Sequence, residues 1–175
     1  MVSSSLGYGT SAPCVMLVGR AANAIAKGEA VQFHATAASR IAAVPDTTDT
    51  NSMLLVFQKY DNATTQLIAG VAMNTAATDE WIEVAVYGPV LALCNGTTDI
   101  NAGDTVAADA GAAGSVAHFE SMAEASITAH SHGHALEDYT DATDALKWIF
   151  VDVIAKGVND AGTTTLFMGG RIIGV

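Results

Sequence analysis

Trp81-Ile82-Glu83-Val84-Ala85-Val86-Tyr87-Gly88-Pro89-Val90-Leu91-Ala92-Leu93 decides the fold class. Ile82, Val84 and Val86 alternate with Glu83, Ala85 and Tyr87. A period of two sends successive side chains to opposite faces of a strand. Gly88-Pro89 then reads as an interruption, a bend or an edge, because proline cannot donate to a ladder. Asn95-Gly96 beyond it is a strong turn signal.

Similar short apolar runs recur on both sides. Strands are expected over residues 14–18, 30–34, 53–57, 66–72, 116–120, 127–136, 146–154, 163–168 and 171–175. Residues 45–52 (PDTTDTNS) and 137–145 (EDYTDATDA) are loops on composition. No long stretch follows a 3.6-residue period. The expectation is an all-β chain, folded as a compact β-sandwich or barrel-like body.

The sequence also repeats itself. Lys27-Gly28-Glu29-Ala30-Val31, Gly70-Val71-Ala72-Met73-Asn74 and Trp81-Ile82-Glu83-Val84 are echoed in order by Ala102-Gly103-Asp104-Thr105-Val106, Gly133-His134-Ala135-Leu136-Glu137 and Trp148-Ile149-Phe150-Val151. The three landmarks lie 75, 63 and 67 residues apart, so a duplication would carry insertions in its loops, where they cost little. Residues 1–13 (MVSSSLGYGTSAP) are small, polar and rich in turn formers, and read as a flexible extended arm. The expected organisation is that arm and one β domain over residues 14–175, built from two similar β units, residues 14–96 and 97–175.

The 175 residues suit one domain or two small halves sharing a core. Half the chain is apolar and only 14% is charged, which excludes wholesale disorder. Eighteen acids against seven Lys and Arg give a net charge of −11. Phosphate backbones would be repelled, and the scattered cations form no cluster, so nucleic-acid binding is disfavoured. No stretch has the length of a membrane span and no secretory signal is visible, so a soluble protein made in the cytoplasm is expected. Cys14 and Cys94 are too few to frame a disulfide scaffold and read as reduced thiols in or near the core.

Chemistry is sparse. His130-Ser131-His132-Gly133-His134 would place three imidazoles on one strand face about 6–7 Å apart. His130, His132 and His134 are therefore weak candidates for a metal site of the open zinc type, against the plainer reading of a polar strand face. The outer two are too far apart to share an ion unless a turn or a symmetry axis gathers them. No nucleophile elbow and no Gly-Lys phosphate loop occurs. The acid pairs Asp79/Glu80 and Glu137/Asp138 read as loop caps, and Asp99-x-Asn101-x-Gly103-Asp104 as a turn lacking the positions of a calcium loop. The expectation is no enzyme and no cofactor.

The Gly-acid-x-Val turns at residues 28–31 and 103–106, the segments Gly70-Val71-Ala72-Met73 and Gly133-His134-Ala135-Leu136-Glu137-Asp138, and the strand Val84-Ala85-Val86-Tyr87-Gly88-Pro89-Val90 resemble a family of tailed-phage capsid decoration (cement) proteins. The resemblance spans residues 15–153. It implies a structural virion protein on the capsid exterior, commonly a trimer, that binds the major capsid protein and locks neighbouring subunits together. Residues 45–52 and 121–132 are longer than that pattern, which bears on the surface loops. The arm, with Ser3, Ser4, Ser5, Leu6 and Tyr8, is the candidate partner-binding segment, since an extended arm can add a strand to an exposed sheet edge. The alternatives are another self-assembling β-rich virion module, of tail or adhesin type, and a His-rich metal-binding β-barrel enzyme.

Overall fold

The computed structural model describes residues 14–34, 39, 41–43, 53–61, 68–109, 116–121, 132–153, 156–158, 164–168 and 171–173. Its elements are all strands: β1 (Val15–Ala21), β2 (Ala30–Phe33), β3 (Ile41–Ala43), β4 (Met53–Lys59), β5 (Ile68–Ala72), β6 (Trp81–Cys94), β7 (Thr105–Asp109), β8 (His118–Ser121), β9 (Gly133–Ala135), β10 (Ala145–Asp152), β11 (Lys156–Val158), β12 (Thr164–Met168) and β13 (Arg171–Ile173). The chain is all-β, as its alternation demands.

The pairings close two rings of five strands that share β6. In the first, β6 joins β1, β1 joins β4, β4 joins β2, β2 joins β5, and β5 returns to β6. In the second, β6 joins β10, then β9, β7 and β8 follow, and β8 returns to β6. The direction of every pairing is the same in both rings: one parallel junction (β1 with β4, β6 with β8) and four antiparallel ones. Closure leaves neither ring with a free edge. The remaining described strands are β3, which pairs with β4, and β11–β12–β13, which form a separate antiparallel meander.

β6 runs unbroken through Gly88-Pro89, contrary to the interruption read from the sequence. The dipeptide sits where the strand changes partners. β1 pairs with β6 as far as Tyr87, and β10 takes over from Tyr87 to Cys94, with Pro89 opposite Phe150. Fourteen residues can thus close one barrel and open the next.

Hydrogen bonds align the two rings residue by residue. The Gly28 N–H donates to the Ala72 carbonyl and the Ala72 N–H to the Glu29 carbonyl; Gly103, Ala135 and Asp104 repeat both bonds. Gly28 and Gly103 both need a positive φ, 89° and 94°, which glycine adopts at low cost. Phe57 lies opposite Ala21 in the parallel junction of the first ring, and Phe119 opposite Cys94 in the second. The Gly28/Gly103 and Gly70/Gly133 landmarks coincide in this alignment, but the tryptophans do not. Glu83, not Trp81, is the counterpart of Trp148: the Met73 N–H donates to the Glu83 carbonyl as the Leu136 N–H donates to that of Trp148.

Each ring is filled by its own apolar cluster. Ile25, Val31, Phe57, Ala72 and Val84 in the first match Ile100, Val106, Phe119, Ala135 and Ile149 in the second. The second cluster also takes in Ala30, Val71 and Ala85 from the first ring. The barrels therefore share packing as well as a strand.

Candidate functional site

Two features stand out once the barrels are placed: an exposed apolar belt and a polar seam where the barrels meet. Among the described residues, nine large apolar side chains are exposed, and eight lie on β1, β6 and β10 or at Leu136 just after β9; Val116 is the exception. Val15, Met16, Val18, Trp81 and Tyr87 belong to the first barrel and its end of β6. Leu136, Leu146 and Trp148 belong to the second. The Tyr87 and Phe150 rings meet edge to face with centroids 5.0 Å apart, which joins the two groups. Trp81 is 60% exposed and Trp148 39%.

Alternation creates the belt. In a closed ring one side of each strand fills the barrel and the other faces outward. Val18 opposite Glu83 and Trp148 opposite Leu91 are outward pairs, alternating with the buried Ile82, Val84 and Ile149. Charge on this side includes the pairs Arg20 with Asp79 and Lys147 with Glu137, the latter at 3.8 Å, and the Glu83 carboxylate beside Val18. Lys147 Nζ also stands 4.9 Å from the centre of the Tyr139 ring.

At the seam, the Gly28 turn of the first barrel rests on the second. The Leu93 N–H donates to the Gly28 carbonyl at 2.8 Å, and the Ala30 N–H to the Ala117 carbonyl at 3.0 Å. Glu29, 2% exposed, accepts from Ala26 N–H at 2.7 Å and Ala117 N–H at 3.4 Å and pairs with Lys59 at 3.1 Å. Its counterpart Asp104 accepts from Asn101 N–H at 2.8 Å, so the segment around Asn101 is an ordinary carboxylate-capped turn. The acid pairs are caps as well: Glu80 accepts from Ala77 N–H, Glu137 from Trp148 N–H and Asp138 from Ala102 N–H. Burial pushes the Cys94 thiol up to about 12, with Glu137 adding to the shift. Burial also raises the Tyr60 hydroxyl, helped by the charges of Asp109 and Asp61.

The sequence candidates fall in different places. His132 is buried, and its Nδ1 accepts the Ala108 N–H at 2.8 Å, so that nitrogen already has a role in the backbone network. His134 is exposed on β9, opposite Thr105 and Phe150. His130 lies outside the described residues, as do Ser3, Ser4, Ser5, Leu6 and Tyr8 of the arm. The three side chains that the described structure does gather at metal-ligand spacing are Asp109, His118 and Glu120. Sequence reasoning missed them. They come from two strands, and only the β7–β8 register brings them together.

No family model matches this chain, and no curated protein matches it. The chain is similar to a solved structure described as the head fiber gp8.5 N base of bacteriophage phi29, with a TM-score of 0.48 and 13% identity, covering 80% of this chain and 95% of that one.

Proposed function

We propose that the protein is a structural virion component that works by adhesion: a phage capsid decoration protein that binds the outside of the shell and bonds neighbouring major capsid protein subunits, acting as a homotrimer. The observation that carries this reading is the belt of exposed Val15, Met16, Val18, Trp81, Tyr87, Leu146 and Trp148 on a doubly closed β scaffold. Exposed apolar side chains with accessible aromatics on neighbouring strands are what a docking site offers. A body without free barrel edges presents that surface rigidly, so little ordering entropy is lost on binding. The acidic remainder, at −11 overall, keeps a crowded coat soluble and repels packaged nucleic acid.

Under this reading Trp81 and Trp148 are anchors, and residues 1–13, which lead into β1 beside Val15 and Tyr87, add an extended clamp on the neighbour. Several modest contacts per trimer sum to tight attachment. The role needs binding and no catalysis. Co-sedimentation with capsids lacking the protein tests it. Wild type is expected to pellet with the shells, and Trp81→Ala/Trp148→Ala to stay in solution. Failure of the folded wild type to bind capsids would reject the capsid assignment.

A further inference from the structure

One imidazole in the second barrel is surrounded by three carboxylates. His118 stands directly opposite Asp109 in the β7–β8 ladder, and Glu120 follows two residues later on the same face of β8. His118 Nε2 lies 3.0 Å from Glu120 Oε1 and 3.8 Å from Asp109 Oδ2. Across the ring, Nδ1 lies 3.4 Å from Asp144 Oδ1, yet it is buried and outside hydrogen-bond geometry.

Both nitrogens of one ring thus face carboxylates, two from the β7–β8 ladder and one from the residue before β10. The scaffold does not require these groups. Phe33 opposite Phe57 in the first barrel corresponds to Ala108 opposite Phe119 in the second. The counterparts of Asp109, His118 and Glu120 are therefore His34, Val56 and Gln58, which close the same ladder without a carboxylate.

We infer that Asp109 Oδ2, His118 Nε2 and Glu120 Oε1 form a binding site for a divalent first-row transition-metal cation, with Asp144 as the outer carboxylate that orients the ring. The three donor atoms lie within 4.8 Å of one another. Ligands about 2.0–2.2 Å from one tetrahedral ion sit about 3.3–3.6 Å apart, so the carboxylates must turn inward to complete the set. Imidazole with carboxylates suits Mn2+ through Zn2+ better than Ca2+. A carboxylate behind the ligating histidine, holding a proton on the far nitrogen, is the usual outer partner in such sites, and Asp144 at 3.4 Å would need a small turn to make that bond. Bound there, the ion joins β7, β8 and the segment leading into β10, where the second ring closes.

The test is calorimetric titration of the chelator-stripped, full-length chain with Zn2+ and with Mn2+, alongside elemental analysis after desalting. One equivalent is expected, with a rise in melting temperature. Asp109→Asn and Glu120→Gln preserve shape and should abolish binding, as should His118→Ala. Asp144→Asn should weaken it about 10- to 100-fold. Melts without metal show that each variant folds. Absence of stoichiometric binding overturns the site and leaves the cluster as contacts between the β7 and β8 side chains. Binding that survives Asp109→Asn and Glu120→Gln but disappears in His132→Ala overturns it too, placing the metal on the histidine-rich segment.

Discussion

Phe57 and Phe119 occupy the same place in two different barrels. Each is fully buried, each lies opposite a small residue across the one parallel junction of its ring, and the carbonyl of each accepts an N–H from the residue that follows, Ala22 or Asn95. Truncating either to alanine should cost about 3–5 kcal/mol. Because the barrels share β6 and part of a core, both variants should unfold in one transition. Urea denaturation followed by fluorescence and by circular dichroism checks this, and two separated transitions would show that the barrels are independent.

Gly28 and Gly103 share a conformation but not an environment. A Cβ on Gly28 would run into the Leu146 side chain and the Leu93 N–H, whereas one on Gly103 would meet nothing within 4 Å. Gly103→Ala should therefore cost only the left-handed backbone term of about 1–2 kcal/mol. Gly28→Ala should cost more, because the Leu146 side chain must swing aside and the Leu93 backbone must give by a few tenths of an ångström. Thermal melts of the two variants give the comparison, and equal losses would refute the contact.

Glu29 should behave as a buried clasp. Glu29→Ala strands the Ala117 N–H and the Lys59 ammonium at the seam, with an expected loss of about 2–3 kcal/mol. Asp104→Ala, at the counterpart turn on an exposed segment, should lose about 1 kcal/mol. Chemical denaturation of the pair measures the difference.

Cys94 takes the place that Ala21 holds in the first barrel, and its burial sets a pH dependence. With the thiol raised from 9.0 to about 12, the unfolded chain ionises first as pH rises. Stability from this group is intact below pH 9 and falls progressively between about pH 9 and 12. Cys94→Ala should remove that slope at a cost of about 1 kcal/mol. In the native protein at neutral pH, a thiol reagent should label Cys14, which is only partly buried, and spare Cys94 until denaturant is added.

Trp81 and Trp148 should matter for association rather than folding. Replacing both with alanine should cost a few kcal/mol at most and leave the chain folded, since each is partly exposed and outside the two core clusters. Capsid attachment should fall at least about 30-fold, the effect of losing one interface hot spot. Deleting residues 2–12 should also weaken attachment while leaving the body folded. Sedimentation and thermal melts separate the two kinds of effect.

Legibility followed period and turn chemistry. Positive-φ glycines carry a sequence signature, and the Gly28/Gly103 landmark is legible for that reason. The tryptophan landmark misled by two residues. A shift of two keeps a side chain on the same strand face, so alternation cannot detect it. Hydrogen bonds from Glu83 to Asn74 and from Trp148 to Glu137 settle the register. The short, alanine-rich β7 and the three-residue β3 and β11 had too little pattern to be recognised.

Sequence alone determined the fold class and the acidic, weakly charged composition, because alternation and composition are local properties. Closure into two barrels on one strand, the belt joined by Tyr87 and Phe150, and the meeting of Asp109, His118 and Glu120 were decided only by tertiary structure. Each depends on which distant strands pair and in what register. That choice is made by long-range packing of the core, which no local pattern records.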